Sequence, residues 1–335
     1  MSSLKKILIS AVVVSLAILS FKYLYYKQDF TSSPKDNLPI IGITQIVEHP
    51  SLDQEREGVI DTLAKAGYID GQTVRIIYHN AQGNIGTATQ ITTQMISLKP
   101  KLILALSTPS AQAALAPCLA QNIPLVFSAV TDPIGAKLVK DLKKRTEAIT
   151  GISDNLPIES QIQLVQDFIP GLKVLGVIYN AGEVNSVKMI KNMQEEATKR
   201  NIQIIEAVAG KTSDVAAAMN NLVGKVEAVY IPNDNTAVAA MNSIIQIAEK
   251  HKLPVFTGDT GSVTAGAIAT RGYDRFLLGK KAGELVLKIL NGLPAGDLPI
   301  ETNFPLSLII NKNAASKTGI DIPPAVLQSA TIVGD

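Results

Sequence analysis

The sequence predicts an α/β protein made of two consecutive open, doubly wound parallel sheets. Three observations predict it. The chain has 335 residues, enough at roughly 150 per domain for two folded units. From Pro39 onward, short β-branched runs alternate with longer helical stretches, the rhythm of a parallel sheet with right-handed crossovers. The same rhythm restarts at Glu159.

The first element is a leader. Lys5 and Lys6 precede an apolar run from Ile7 to Phe21, the layout of a signal peptide, and Ser15-Leu16-Ala17 offers a small-residue cleavage site. Read instead as one helix, Ile7 to Tyr26 would be about 30 Å long and could cross a bilayer. Lys22 would then snorkel and the tyrosines would form an interfacial belt. Both readings put the body in the periplasm or another extracytoplasmic space, with residues 7–26 as a tether if they are retained. The leader has no cysteine, which excludes a lipid-anchored mature terminus. Thr31 to Pro39 reads as a polar linker.

In the first unit, Ile40–Thr44 reads as a buried strand. Leu52–Ala66 reads as a helix whose apolar stripe is Val59, Ile60, Leu63 and Ala64. Asp70-Gly71 turns the chain into a strand at Val74–Tyr78. Helix Ala88–Leu98, strand Leu102–Leu106, helix Ser110–Leu119 and strand Pro124–Ala129 follow. The second unit runs helix Glu159–Phe168, strand Val174–Tyr179, helix Asn185–Arg200 and strand Ile202–Ala207. It continues with helix Val215–Val223, strand Ala228–Ile231, helix Thr236–Lys250 and strand Pro254–Thr257. The run Ala267–Thr270 and the helix Phe276–Asn291 come late for the second sheet, so a chain crossing back to the first unit is expected. Asn303–Ile310 would return to the second.

Composition excludes several classes. With 46% hydrophobic and 18% charged residues the chain buries sizeable cores, which excludes global disorder. Residues 1–38 hold five lysines against two aspartates, leaving 26 basic and 27 acidic residues for the body. The body lacks a net basic footprint, so no nucleic-acid partner is expected. Cys118 is the single cysteine, which rules out an internal disulfide and a multi-thiolate metal site. No nucleophile elbow, P-loop, dinucleotide-binding turn or zinc-binding helix motif occurs, and His49, His79 and His251 lie far apart. The chain is therefore read as a non-enzyme without cofactor or metal.

The informative residues sit in loops after strands, where open α/β sheets bind ligands. Gln45, Glu48 and His49 follow the first strand, and Ser107, Thr108 and Ser110 open a helix after Leu106. Thr131 and Asp132 follow Phe127, and Asp154 precedes the second unit. Tyr179, Asn185 and Ser186 lie around the next strand end, then Asp234, Asn235 and Thr236, then Asp259, with Asp274 before the last long helix. Such residues also cap helices; the five loops after Leu106, Phe127, Tyr179, Ile231 and Phe256, aimed at one crevice, make a ligand site the sharper reading. His49 is the histidine suited to orient a ligand by hydrogen bonding.

From Ile41 to about Ile320 the chain resembles the tryptophan/tyrosine-type substrate-binding proteins of bacterial ABC importers. The matching stretches are Gly42–Pro50, Asn80–Gly83, Thr108–Ala113, Val130–Pro133, Gly182–Ser186, Asp234–Thr236 and Leu278-Gly279. The resemblance implies a type I periplasmic-binding fold, two lobes joined by three crossover segments with a ligand cleft between them. It divides the chain into a leader at 1–38, lobe 1 at 39–151 plus 265–292, and lobe 2 at 152–264 plus 293–335. It implies an amino-acid ligand, aromatic or otherwise hydrophobic, bound by hinge closure and delivered to a membrane permease with a cytoplasmic ATPase. A membrane-anchored sensing ectodomain with no transport role is the alternative. The ligand carboxylate would meet Ser107, Thr108 and Ser110, and its ammonium Asp154 or Asp234. Asn185, Asn235 and Thr131 would complete the hydrogen bonding, with Tyr179, Tyr230, Phe127 and Tyr273 available to hold the side chain. Relatives usually carry an aromatic residue where Arg275 stands; Arg275 either faces the cleft and pairs with an anionic ligand or faces solvent and changes nothing.

Overall fold

The computed structural model describes residues 38–143 and 148–334. The leader, with its cleavage or tethering, lies outside them. No helix among the described residues is long and apolar enough to cross a membrane.

In chain order the elements are β1 (Ile40–Gln45), α1 (Pro50–Lys65), β2 (Arg75–Asn80), α2 (Ile85–Ser97), β3 (Leu102–Leu106), α3 (Thr108–Ala120), β4 (Leu125–Val130) and β5 (Ile149–Ser153). Then come α4 (Ile158–Phe168), β6 (Val174–Tyr179), α5 (Val184–Lys199), β7 (Gln203–Val208), α6 (Val215–Leu222), β8 (Ala228–Ile231), α7 (Asn235–Ala239), α8 (Met241–His251), β9 (Val255–Thr257) and α9 (Thr260–Thr264). The chain ends with β10 (Ala269–Tyr273), α10 (Arg275–Leu290), β11 (Leu306–Asn311), α11 (Lys312–Thr318), α12 (Pro324–Leu327) and β12 (Thr331–Val333).

Two sheets form, ordered β2-β1-β3-β4-β5 and β12-β11-β10-β9-β8-β6-β7. All the pairings are parallel except β10 with β11. Strands buried on both faces, such as Leu102–Leu106 and Ala228–Ile231, read as unbroken apolar runs for that reason. In both sheets the order reverses beside the first strand of the unit, and the carboxyl ends on either side of that switch make a crevice.

The crossings fall later in the chain than the sequence suggested. β5 pairs with β4 in the first sheet through Ser153, and β10 belongs to the second sheet, between β9 and β11. The boundaries expected at 151 and 265 therefore move to about Asp154 and Asp274. Helix α10 does return to the first unit, packing on α1 and against β4 and β5. The next stretch stays there as well: Glu301 bridges Ile152, its N–H donating to Gly151 O at 2.9 Å. The third crossing thus follows Glu301 rather than starting at 293.

Close approach of α1 and α10 depends on glycine. A Cβ on Gly58 would collide with the Phe276 carbonyl, and one on Gly279 with the Glu55 carbonyl. Backbone cannot move aside as a side chain can, so only glycine lets these helices meet at this depth. The contact brings Glu55 and Arg275 to the inner face of the first lobe.

Candidate functional site

Strand ends and helix starts from both units converge on a small buried cavity of about 20 Å³. His49, Leu52, Ala129 and Thr131 reach it from the first unit, with Arg275 at the start of α10. Asp154 reaches it from the first crossing, and Asn185, Asn233, Asp234, Asn235, Val238 and Asp259 from the second unit. The two units touch here, since Gly261 N donates to Ser51 Oγ at 3.1 Å.

Backbone strain marks the first unit's side. Ser107 has φ +90° and Ala129 φ +55°, both in the left-handed region without being glycine. Each such residue costs on the order of 1–3 kcal/mol, and such strain clusters at functional sites. Ala129 lies where the β4–β5 register shifts, between Phe127 and Val130. That shift turns Thr131 into the cavity. Helix α3 starts at Thr108, two residues earlier than the sequence suggested, with Ser107 at its N-cap and Thr108 and Pro109 in the first turn. The side-chain oxygens of Ser107, Thr108 and Ser110 are buried and, among the described residues, have no hydrogen-bond partner. They do not line the cavity itself.

Arg275 forms the cavity's charged wall. It is 4% exposed, so it does not face solvent. Its Nη1 donates to Asp154 at 2.6 Å and lies 3.5 Å from Glu55. With the Asn233 amide oriented to satisfy both its atoms, Asn233 accepts from Arg275 Nη2 at 3.1 Å and donates to Gly258 O at 3.1 Å. Nε stands 3.9 Å from Asp259 and has no hydrogen-bond partner among the described residues. Burial alone would lower the guanidinium's pKa, but Asp154, Glu55 and Asp259 hold it above its ordinary value. Of the two alternatives for Arg275 the solvent-facing one is thereby excluded, and three carboxylates already face this cation.

Glu55 is fully buried beneath the cavity, accepting from Ser128 Oγ as well as Arg275. Burial pushes its carboxyl up to about 7, with Arg275 and Ser128 opposing. His49 caps α1, its Nδ1 accepting from Leu52 N at 3.4 Å. Burial lowers its pKa, so the imidazole stays neutral in the cleft.

On the opposite side two carboxylates hold the start of α7. Asp234 accepts from Ala237 N (2.7 Å), Asn180 N (2.7 Å) and Ser186 Oγ (2.6 Å). Glu183 accepts from Asn235 N and Thr236 N, each at 3.1 Å, and from Thr236 Oγ1 at 2.9 Å. Burial first, then Glu183, raises the Asp234 carboxyl to about 7. Asp234 thus holds the start of α7, while Asp154 is held by Arg275 through one oxygen and by Thr131 Oγ1, at 3.1 Å, through the other.

Other sequence candidates lie elsewhere. Gln45 spends its amide on Val47, Asp53 and Arg56. Glu48 is exposed and accepts from Tyr78. Asp274 is an exposed cap of α10, and Asp132 caps Gly135 N in a separate depression. Ser186 serves Asp234, and Thr236 lines an outer groove. Nor do the expected rings line the cavity. Tyr179 bonds to Glu206, Tyr230 to Gln161 and Tyr273 to Asn155 O, while Phe127 packs under Gly151. Glu55 and Ser128 escaped the sequence reading, and Asn233 and Glu183 lie in loops it marked without being among its candidates. Glu55 had a signal, since it lies on the stripe of Leu52, Val59 and Leu63 where an acid is out of place.

Fold and site define a two-lobed ligand-binding protein of the type I periplasmic-binding fold, with its polar cavity between the lobes. The chain belongs to the ABC transporter substrate binding protein family, whose model matches residues 40–333. It is 41% identical over 273 residues to a tyrosine-binding protein of Clostridioides difficile (strain R20291), covering 82% of this chain and 79% of that protein. A solved ABC domain from Streptococcus pneumonia in complex with L-Trp superposes with a TM-score of 0.83 at 31% identity, covering 89% of this chain and 100% of the other. The ligand-free, open structure of CD0873, a substrate-binding protein with adhesive properties from Clostridium difficile, gives a TM-score of 0.65 at 36% identity, covering 88% and 99%.

Proposed function

We propose that this protein is the extracytoplasmic binding component of an amino-acid importer, which closes its lobes over one amino acid and presents it to a membrane permease coupled to a cytoplasmic ATPase. It binds and releases its ligand without chemical change. The observation that carries this reading is the convergence of Thr131, Asp154, Asn185, Asp259 and Arg275 from both lobes on one buried cavity. The higher TM-score to the tryptophan complex than to an open relative of greater identity supports closure as the working motion. The tyrosine and tryptophan of the relatives support an α-amino acid, with the aromatic class expected from the sequence as the first to try.

The ligand's two charges find opposite partners. Its carboxylate takes the hydroxyls of Ser107, Thr108 and Ser110 and the N–H groups that open α3, where the helix dipole favours an anion. Its ammonium takes Asp154, which Thr131 orients. Asn185 and Asn235 complete the shell.

Equilibrium dialysis tests this. An L-amino acid that binds should lose affinity on the order of a hundredfold when its carboxylate is made an amide or its amine is acetylated, the usual loss for a buried charge left unpaired. Equal binding of all three forms would overturn the reading.

A further inference from the structure

We infer that Arg275 reads the ligand's side chain and selects one carrying an uncharged group that both accepts and gives a hydrogen bond, a hydroxyl or an amide. This rests on the amino-acid reading above and names the class of side chain.

Of the guanidinium's five N–H groups, the two on Nη1 go to Asp154 and Glu55 and one on Nη2 goes to Asn233; Nε is the nitrogen left buried with no partner among the described residues. Leaving a buried N–H unpaired is costly, so a ligand that closes the cleft is selected for supplying an acceptor. The head group cannot supply it. An ammonium has no lone pair, and a carboxylate at Nε would lie against Asp259 and Asp154. The acceptor must come from the side chain.

Charge narrows the class. With Asp154, Glu55 and Asp259 all within 3.9 Å, an acidic side chain is repelled by carboxylates. A basic one meets the guanidinium and has nothing to accept with. Nε and Asp259 Oδ1 are 3.9 Å apart, too far for a hydrogen bond. One oxygen between them could accept from Nε and donate to Asp259. Asp259 is fixed for that task, its other oxygen accepting from Ser262 N (2.9 Å) and Oγ (2.7 Å). Asn185 Oδ1 is a second unpartnered acceptor on the same cavity. A hydrocarbon side chain leaves these groups dry and unpaired, and sites built to bond a substrate hydroxyl reject analogues lacking it.

Titration calorimetry of the full-length protein with matched pairs tests this: tyrosine against phenylalanine, threonine against valine, glutamine against methionine, with lysine and glutamate alongside. In the pair that fits by size, the polar member should bind at least about a hundredfold tighter. Equal or tighter binding of the apolar member, or tightest binding of lysine or glutamate, overturns the inference and leaves the amino-acid reading standing. No binding by any of the eight overturns the inference and leaves the amino-acid reading to the other twelve standard amino acids. Arg275→Lys keeps the charge beside Asp154 and removes Nε–H, and should shrink the ratio within the pair to below about tenfold. Asp259→Asn, which keeps the cap on α9, should shrink it too. An unchanged ratio in a folded variant assigns the selectivity elsewhere and overturns the role of Arg275.

Discussion

Glu55 has no place on an apolar helix stripe unless the cavity above it supplies a partner, and Arg275 is that partner. Burial still dominates its ionisation: the carboxyl stands at about 7 in the fold against an ordinary 4.5. The folded state therefore keeps a proton that the unfolded chain releases between those values. This contribution to stability is greatest below pH 4.5 and is lost as pH rises through about 7, a difference of about 3 kcal/mol. Melting curves at pH 5 and pH 8 should show Glu55→Gln losing less stability across that interval than the native protein; parallel losses would contradict the assignment. Asp234→Ala strips the cap of α7 and orphans Asn180 N and Ser186 Oγ, and should cost about 2 kcal/mol in denaturant unfolding. The places of Asp154 and His49 on the cavity were legible in the sequence, because both stand in loops after strands, where open α/β sheets present polar residues. What each acid holds was not, because Asp154 and Asp234 are the same residue type in equivalent loops and one of them caps a helix.

Most elements were legible because the sheets are mainly parallel and most strands are followed by a helix, so the period of the pattern changes at most steps. Ile149–Ser153 was missed for the complementary reason: no helix among the described residues separates it from β4, and the alternation that signals a strand is absent there. Thr236–Lys250 was read as one helix, whereas the chain breaks it at Ala240, where α7 and α8 meet. The pairing of α1 with α10 joins segments more than two hundred residues apart, and no local pattern announces it. Its physical requirement can be tested. Gly279→Ala drives a methyl into the Glu55 carbonyl and should lower stability by at least about 2 kcal/mol, read in urea unfolding. Gly292, whose φ of +95° meets nothing within 4 Å, serves as the control, where Gly292→Ala should cost only the conformational strain.

At the scale of the whole molecule, two sheets and three crossings put carboxyl-terminal strand ends face to face, and many of the chain's buried polar groups gather there. Strained Ser107 and Ala129, the buried Glu55–Arg275–Asp154 chain and the doubly acidic start of α7 all border one cleft. Folding alone gives little reason to bury so many polar groups together, whereas capture of a small zwitterion does. The central claim is met most directly by titration calorimetry of the purified protein against each of the twenty standard L-amino acids. The expected result is one-to-one binding of at least one of them, with D-enantiomers silent; heat from none of the twenty would contradict it.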